Sequence, residues 1–176
     1  MKSFNSIFKK KLPLVCVQGL GVVGSAMAIA VASTKINQKL KYNVVGLEKE
    51  TQFGKEIVRK LNNGKFPFQT SDKLIIDKVK KSTFEKNFFA TTDISFLAKA
   101  DIVISSIGLD FFSNQNSNID NFKKAITNIA RFIKKNSLFI LESSVPPGTT
   151  EKIVIPIFKR EFKKRDLDEK EIKISY

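Results

Sequence analysis

The chain has 176 residues, with 31 lysines and arginines against 17 aspartates and glutamates, and a net charge of +14. That length suits a single domain with a substantial core. One cysteine and no histidine exclude a disulfide framework, Cys- or His-ligated metal centres, histidine general bases and Ser-His-Asp triads.

Residues 1–11 are polar and basic and read as an N-terminal extension, with the domain proper over 12–176. The apolar run from Leu12 to Gln18 predicts a strand. It feeds directly into Gly19-Leu20-Gly21-Val22-Val23-Gly24, and the small, apolar residues that follow predict a helix over 22–39. A second strand, over 42–48, ends on Glu48, 24 positions after Gly24. Strand, glycine turn, helix, strand and terminal carboxylate together make the dinucleotide-binding fingerprint, in which that acid stands about 20 residues on. Each part has a physical task. Gly19 permits the tight turn, Gly21 lets the backbone approach a pyrophosphate, and Gly24 lets the helix sit close on the sheet. The helix N-terminus faces the phosphates. Glu48 is placed to hold the adenosine ribose hydroxyls and to repel a 2′-phosphate, which favours NAD over NADP; the neighbouring Lys49 weakens that preference.

The rest of the chain continues the alternation. Helices are expected at 51–63, 71–82, 93–99, 119–135 and 149–165, and strands at 87–90, 101–107, 137–143 and 171–176. Runs such as 101–107 and 137–141 are apolar throughout, without period-two alternation. Parallel strands covered on both faces read this way. The fold class is therefore α/β, a doubly wound, mostly parallel sheet of the Rossmann type. In the helix at 119–135, Ile119, Phe122, Ile126, Ile129, Ala130 and Ile133 recur at helical spacing and mark its core face. The 16 phenylalanines read as core and packing residues. Residues 113–118 read as a polar loop at the carboxyl side of the sheet, where ligands bind in this fold class.

Two other readings compete locally. Lys9-Lys10-Lys11 before the uncharged stretch 12–34 has the look of a secretory leader or a marginal membrane span. Gln18, the three glycines and the strand-then-helix pattern count against both, so no membrane partner and a cytoplasmic location are expected. The +14 charge raises nucleic acid as a partner. However, only Arg59, Arg131, Arg160 and Arg165 are arginines, scattered along the chain, and arginine is the side chain suited to bidentate recognition. The lysines read as solvated surface, and no nucleic-acid partner is expected.

The segment Leu141-Glu142-Ser143-Ser144-Val145-Pro146-Pro147-Gly148-Thr149-Thr150-Glu151 is the second informative stretch. A strand ends at paired hydroxyls, two prolines stop the ladder and Gly148 turns the chain. Thr149 or Thr150 can cap the next helix, with Glu151 in its first turn.

With these segments in place, the chain resembles the N-terminal NAD-binding domain of the UDP-glucose/GDP-mannose dehydrogenase family, from about Leu14 to Tyr176. The residues that carry the likeness are Gly19 to Gly24, Val45-Gly46-Leu47-Glu48, Leu61 to Phe68, Thr91-Thr92-Asp93, Ala100 to Ile104 and, most specifically, Glu142 to Thr150. The resemblance implies NAD held by Gly19, Leu20, Gly21, Val22, Val23, Gly24 and Glu48. Ser143 and Ser144 would lie near the nicotinamide side, and Ile107 and Gly108 would also belong to the cofactor site. It further implies oxidation of the sugar of a nucleotide sugar to a carboxylate, with NAD as acceptor.

Some residues depart from the family pattern. Serine stands at 144 in place of the usual threonine and keeps the hydroxyl. Ile107-Gly108-Leu109-Asp110 replaces a Val-x-Thr-Pro segment. Phe53 stands where a basic residue often follows the ribose-binding acid, which leaves Lys49 or Lys55 as the substitute.

The family's chemistry runs through a thiohemiacetal and a thioester on a later cysteine, beyond a helical middle domain, assisted by a lysine and an asparagine. Cys16, inside the first strand, is not that nucleophile. The chain thus reads as a cofactor domain truncated before the middle and catalytic domains, inactive alone. Its nucleotide-sugar substrate is met through those domains, and a homo-oligomer is a possibility for the longer protein. The alternative is a non-catalytic nucleotide-binding module that acts with a partner chain.

Overall fold

The computed structural model describes residues 7–8, 11–108 and 115–176, with the backbone alone for 115–118. Six parallel strands form one sheet in the order β5-β4-β1-β6-β7-β8. In chain order they are β1 (Leu14–Gln18), β4 (Asn43–Leu47), β5 (Phe88–Thr91), β6 (Ile102–Ser105), β7 (Leu138–Leu141) and β8 (Lys173–Ser175). The helices are α1 (Val22–Ala32), α2 (Gln52–Asn62), α3 (Lys73–Glu85), α4 (Gln115–Phe132) and α5 (Ile155–Lys163). The doubly wound sheet expected from the unbroken apolar runs is what the structure shows.

The two faces of the sheet explain why those runs do not alternate. Val15, Val17, Val44 and Ile104 join a core with Ala28 and Ile29 of α1, Ile57 and Leu61 of α2 and Val79 of α3. Their strand neighbours Leu14, Cys16, Val45 and Val103 point the other way, onto Phe122, Ile126 and Ile129 of α4 and Phe158 and Phe162 of α5. Successive side chains on a strand face opposite sides, so a strand covered on both sides needs apolar residues at every position. The core stripe expected on α4 is buried as read at Phe122, Ile126, Ile129, Ala130 and Ile133.

The chain leaves β1 for β4 and β5 on one side, then returns to β6 on the other. β1 therefore pairs with β4 through Gln18↔Leu47 and with β6 through Gln18↔Ser105. The reversal opens a crevice at the carboxyl ends of β1 and β6, the ligand position of open α/β sheets.

The structure corrects the sequence reading at several points. The helix expected over 22–39 ends at Ala32. A two-stranded hairpin follows, β2 (Lys35–Ile36) antiparallel to β3 (Lys39–Leu40). Its turn residues Asn37 and Gln38 both take positive φ, 49° and 61°, as a two-residue hairpin turn requires. Asn-Gln lacks the glycine that normally signals such a turn.

The helix expected from 119 begins at Gln115, so 115–118 are helical and not loop, while 113–114 lie outside the described residues. Residues 93–99 form a tight 3₁₀ segment, Ile94–Lys99, capped by Asp93, whose carboxylate accepts from the Ser95 N–H at 2.9 Å. Not every phenylalanine is core: Phe53 and Phe84 are exposed. Within residues 1–11, Phe8 is buried in the α4 side of the core and Ile7 packs against it.

Candidate functional site

Gly19 sits at φ +90°, left-handed backbone that glycine adopts without strain. A Cβ there would also press on the Ser106 carbonyl oxygen at 2.9 Å. The Gly19 N–H donates to the Leu47 carbonyl at 2.9 Å, which ties the turn to the end of β4. The Leu20 side chain is fully buried and lies over Gly46, where a Cβ would collide with its methyls. At Gly24 a Cβ would fall on the Gly19 carbonyl oxygen. The turn is thus closed by glycine at both ends.

Gly21 differs. It is the N-cap of α1 in extended backbone, φ −62° and ψ −168°, and among the described residues a Cβ there would meet nothing within 4 Å. Among the described residues no side chain caps α1, and no acidic residue stands in its first turn. The N–H groups of the first turn have no intrahelical acceptor by geometry, and the positive end of the helix dipole adds to them. Val22 and Val23 are exposed beside them. Open space over bare helical amides could hold an anion, and the residues fit a pyrophosphate.

Glu48 faces this turn. Its Oε2 accepts from the Leu20 N–H at 2.6 Å and its Oε1 from the Lys49 N–H at 2.7 Å. Beside it a cleft of about 470 Å³ is lined by Gln18, Gly19, Leu47, Glu48, Lys49 and Glu50, by Thr92, Ile94 and Ile107, and by Asn121, Lys124, Ala125 and Asn128 of α4. Leu47, Ile94, Ile107 and Ala125 give the cleft apolar surface among its polar side chains, a mixture that suits an adenosine. The Gln18 Oε1 is buried in this wall without a partner among the described residues.

Of the residues singled out in the sequence, Gly19, Leu20, Gly21, Val22, Val23, Gly24, Glu48 and Ile107 come together around this turn and cleft. Ser143 and Ser144 stand at the end of β7, on the far side of β6. The Ser143 Oγ donates to the Ser105 carbonyl at 3.3 Å, and Ser144 is exposed. Gly108 is exposed, whereas Leu109 and Asp110 lie outside the described residues. Of the two candidate substitutes for the missing basic residue, Lys49 lines the cleft, and Lys55 pairs with Glu50 at 3.1 Å.

Sequence reasoning missed the wall formed by α4. Asn121, Lys124 and Asn128 recur at i, i+3 and i+7 beside the apolar stripe, and that polar row was the available signal. The expected threonine cap is also absent. Thr149 makes no side-chain cap bond, and the chain enters α5 through a wide π-type turn, Thr150–Val154. Both threonines are buried instead. Cys16 is fully buried, and burial pushes its thiol up to about 12, so no thiolate forms near neutral pH.

Fold and turn define a dinucleotide-binding domain of the doubly wound class. Residues 13–176 match the UDP-glucose/GDP-mannose dehydrogenase family, NAD binding domain, and the chain belongs to that family. It is 33% identical over 141 residues to a UDP-N-acetyl-D-mannosamine dehydrogenase from Campylobacter jejuni, which covers 79% of this chain and 31% of that protein. A UDP-N-acetyl-D-mannosamine dehydrogenase from Pyrococcus horikoshii is 28% identical over 140 residues, with 79% and 30% covered. Among solved structures, GDP-mannose dehydrogenase from Pseudomonas aeruginosa superimposes with a TM-score of 0.73 at 18% identity, over 93% of this chain and 35% of that one. The chain thus spans about a third of the length of these relatives, and the part it spans is the family's NAD-binding domain.

Proposed function

We propose that the chain is the cofactor-binding part of an NAD-dependent nucleotide-sugar dehydrogenase, and that NAD is held by the residues around the glycine turn. The observation that carries this reading is the pairing of an open, uncapped α1 N-terminus at Gly21 with the Glu48 carboxylate directly beside it. The pyrophosphate would lie over Gly19 to Gly24 and the adenosine in the neighbouring cleft, with its ribose hydroxyls donating to Glu48. Ile107 and Gly108 would border the nicotinamide half, with Ser143 and Ser144 at its far end. NAD supplies the hydride acceptor for oxidation of a sugar alcohol. This chain's own residues bind and orient it.

The oxidation would use groups outside residues 1–176. Cys16, the single cysteine, is buried and protonated, and there is no histidine to act as a base. The substrate class in this reading is a nucleotide sugar, oxidised to its uronic acid, and the similarity to UDP-N-acetyl-D-mannosamine dehydrogenases supports it. Glu48 would set the preference for NAD, because a carboxylate at that position repels a 2′-phosphate.

The test has two arms on the purified chain. Titration with NAD and NADP should give saturable NAD binding, weaker for NADP. Mixing with NAD and UDP-N-acetyl-mannosamine or UDP-glucose should produce no NADH. Equal binding of NADP would remove the role of Glu48, and sugar-dependent NADH would overturn the division of labour.

A further inference from the structure

The Glu48 carboxylate already has two partners before any ligand is considered, and both are backbone amides. Oε2 takes the Leu20 N–H at 2.6 Å and Oε1 the Lys49 N–H at 2.7 Å. Leu20 sits inside the glycine turn, 28 positions earlier in the chain. The same short stretch is tied to β4 twice more, by the Gly19 N–H on the Leu47 carbonyl and by the Leu20 side chain over Gly46. On the helix side, the Ser25 Oγ donates to the Leu20 carbonyl at 2.9 Å. Both backbone polar groups of Leu20 are therefore held, the carbonyl by α1 and the amide by Glu48.

We propose that Glu48 is a positioning residue as well as a ribose contact: it clamps the glycine turn in its phosphate-ready shape before NAD arrives. A charged acceptor on a backbone N–H makes a stronger bond than a neutral one. Among the described residues the Leu20 amide is the one hydrogen-bond link of Glu48 to the turn, so its hold is exerted there. Each carboxylate oxygen has further lone-pair capacity, which lets Glu48 keep the Leu20 amide while it accepts a ribose hydroxyl. A turn fixed in advance lowers the ordering cost that binding would otherwise carry. The loss of Glu48 should then weaken ligands that never touch it through a ribose.

The ligand arm of the test rests on the proposed NAD site. The exchange arm needs no ligand. In the NAD-free protein, Glu48→Ala should speed hydrogen exchange at the Leu20 amide at least tenfold, while the Ile29 amide in the middle of α1 keeps its wild-type rate. Glu48→Gln, which keeps the volume but offers one acceptor oxygen for two amides, should fall between and serves if the alanine variant does not fold. In the ligand arm, NAD is compared with an analogue whose adenosine ribose lacks the 2′- and 3′-hydroxyls. The variant should weaken the analogue at least fivefold, and NAD by more. Leu20 exchange within twofold of wild type would overturn the clamp. An analogue that binds wild type and variant alike would overturn it too, and would leave Glu48 as a ribose contact only. If wild type binds neither ligand, the NAD reading fails while the exchange arm still decides the clamp.

Discussion

Gly21 and Gly24 stand one turn of helix apart and should respond to substitution in opposite ways. A methyl group at Gly24 falls on the Gly19 carbonyl oxygen, and neither backbone segment can yield without moving α1 off the sheet. Gly24→Ala should cost about 1–3 kcal/mol, the range for overpacking a tight contact, read by denaturant unfolding. At Gly21 the space is open, so a larger side chain should cost about 1 kcal/mol or less, the scale of a changed N-cap. Sequence reading singled out both glycines, and Glu48, through their spacing and the strand, turn and helix around them. The bond from Glu48 to the Leu20 amide could not be read that way, because it depends on where two loops meet. Phe53 and Phe84 show the converse limit: composition assigned them to the core, and the fold leaves both exposed.

Each secondary-structure element carries a device that the sequence announces unevenly. β5 is an edge strand, with backbone groups facing away from the sheet. The Asn62 side chain at the end of α2 covers them, with Nδ2 donating to the Ala90 carbonyl at 2.9 Å and Oδ1 accepting the Ala90 N–H at 2.8 Å. Asn62→Ala leaves both groups bare and should cost about 1–3 kcal/mol in the same unfolding measurement.

Glu161 of α5 is buried and accepts from Arg131 of α4 at 2.9 Å and from Arg160 and Lys164 at 3.0 Å each. Burial alone would push its carboxyl up. The three cations outweigh it and pull the group down to about 2. A carboxyl with a lowered folded-state value stabilises the protein above its ordinary value of 4.5, and that contribution fades as pH falls toward 2. Glu161→Gln should therefore cost roughly 1.5–3 kcal/mol at pH 7, and the gap to wild type should narrow when unfolding is repeated at pH 3. A gap independent of pH would mean that packing, and not charge, holds this joint.

Element types were legible wherever periodicity ran long, as in α4. The misreadings came where a local choice was nearly neutral. Ser33 and Thr34 neither stop nor favour a helix strongly, and the Asn37-Gln38 turn lacks its usual glycine. There the chain forms the hairpin, and Lys35 pairs with Glu85 at 3.2 Å.

At the scale of the whole molecule, the doubly wound, mostly parallel sheet was legible because strands buried on both faces leave long apolar runs. The family was legible from the Gly19–Gly24 and Glu142–Thr150 segments, whereas the strand order β5-β4-β1-β6-β7-β8 comes from the fold. Less legible was which residues wall the cleft, since α4 reaches it from far along the chain. Among the described residues, no helix is long and apolar enough to cross a membrane. The stretch that has the look of a leader is β1, the glycine turn and α1.

The central claim is that NAD is seated over Gly21 at the start of α1. Calorimetric titration of NAD into wild type and Gly21→Val, with a thermal melt of each, tests it most directly. The valine variant should melt within a few degrees of wild type and bind NAD at least 100-fold more weakly, because its side chain fills the space meant for the pyrophosphate. Undiminished NAD binding by a folded Gly21→Val protein would contradict that placement.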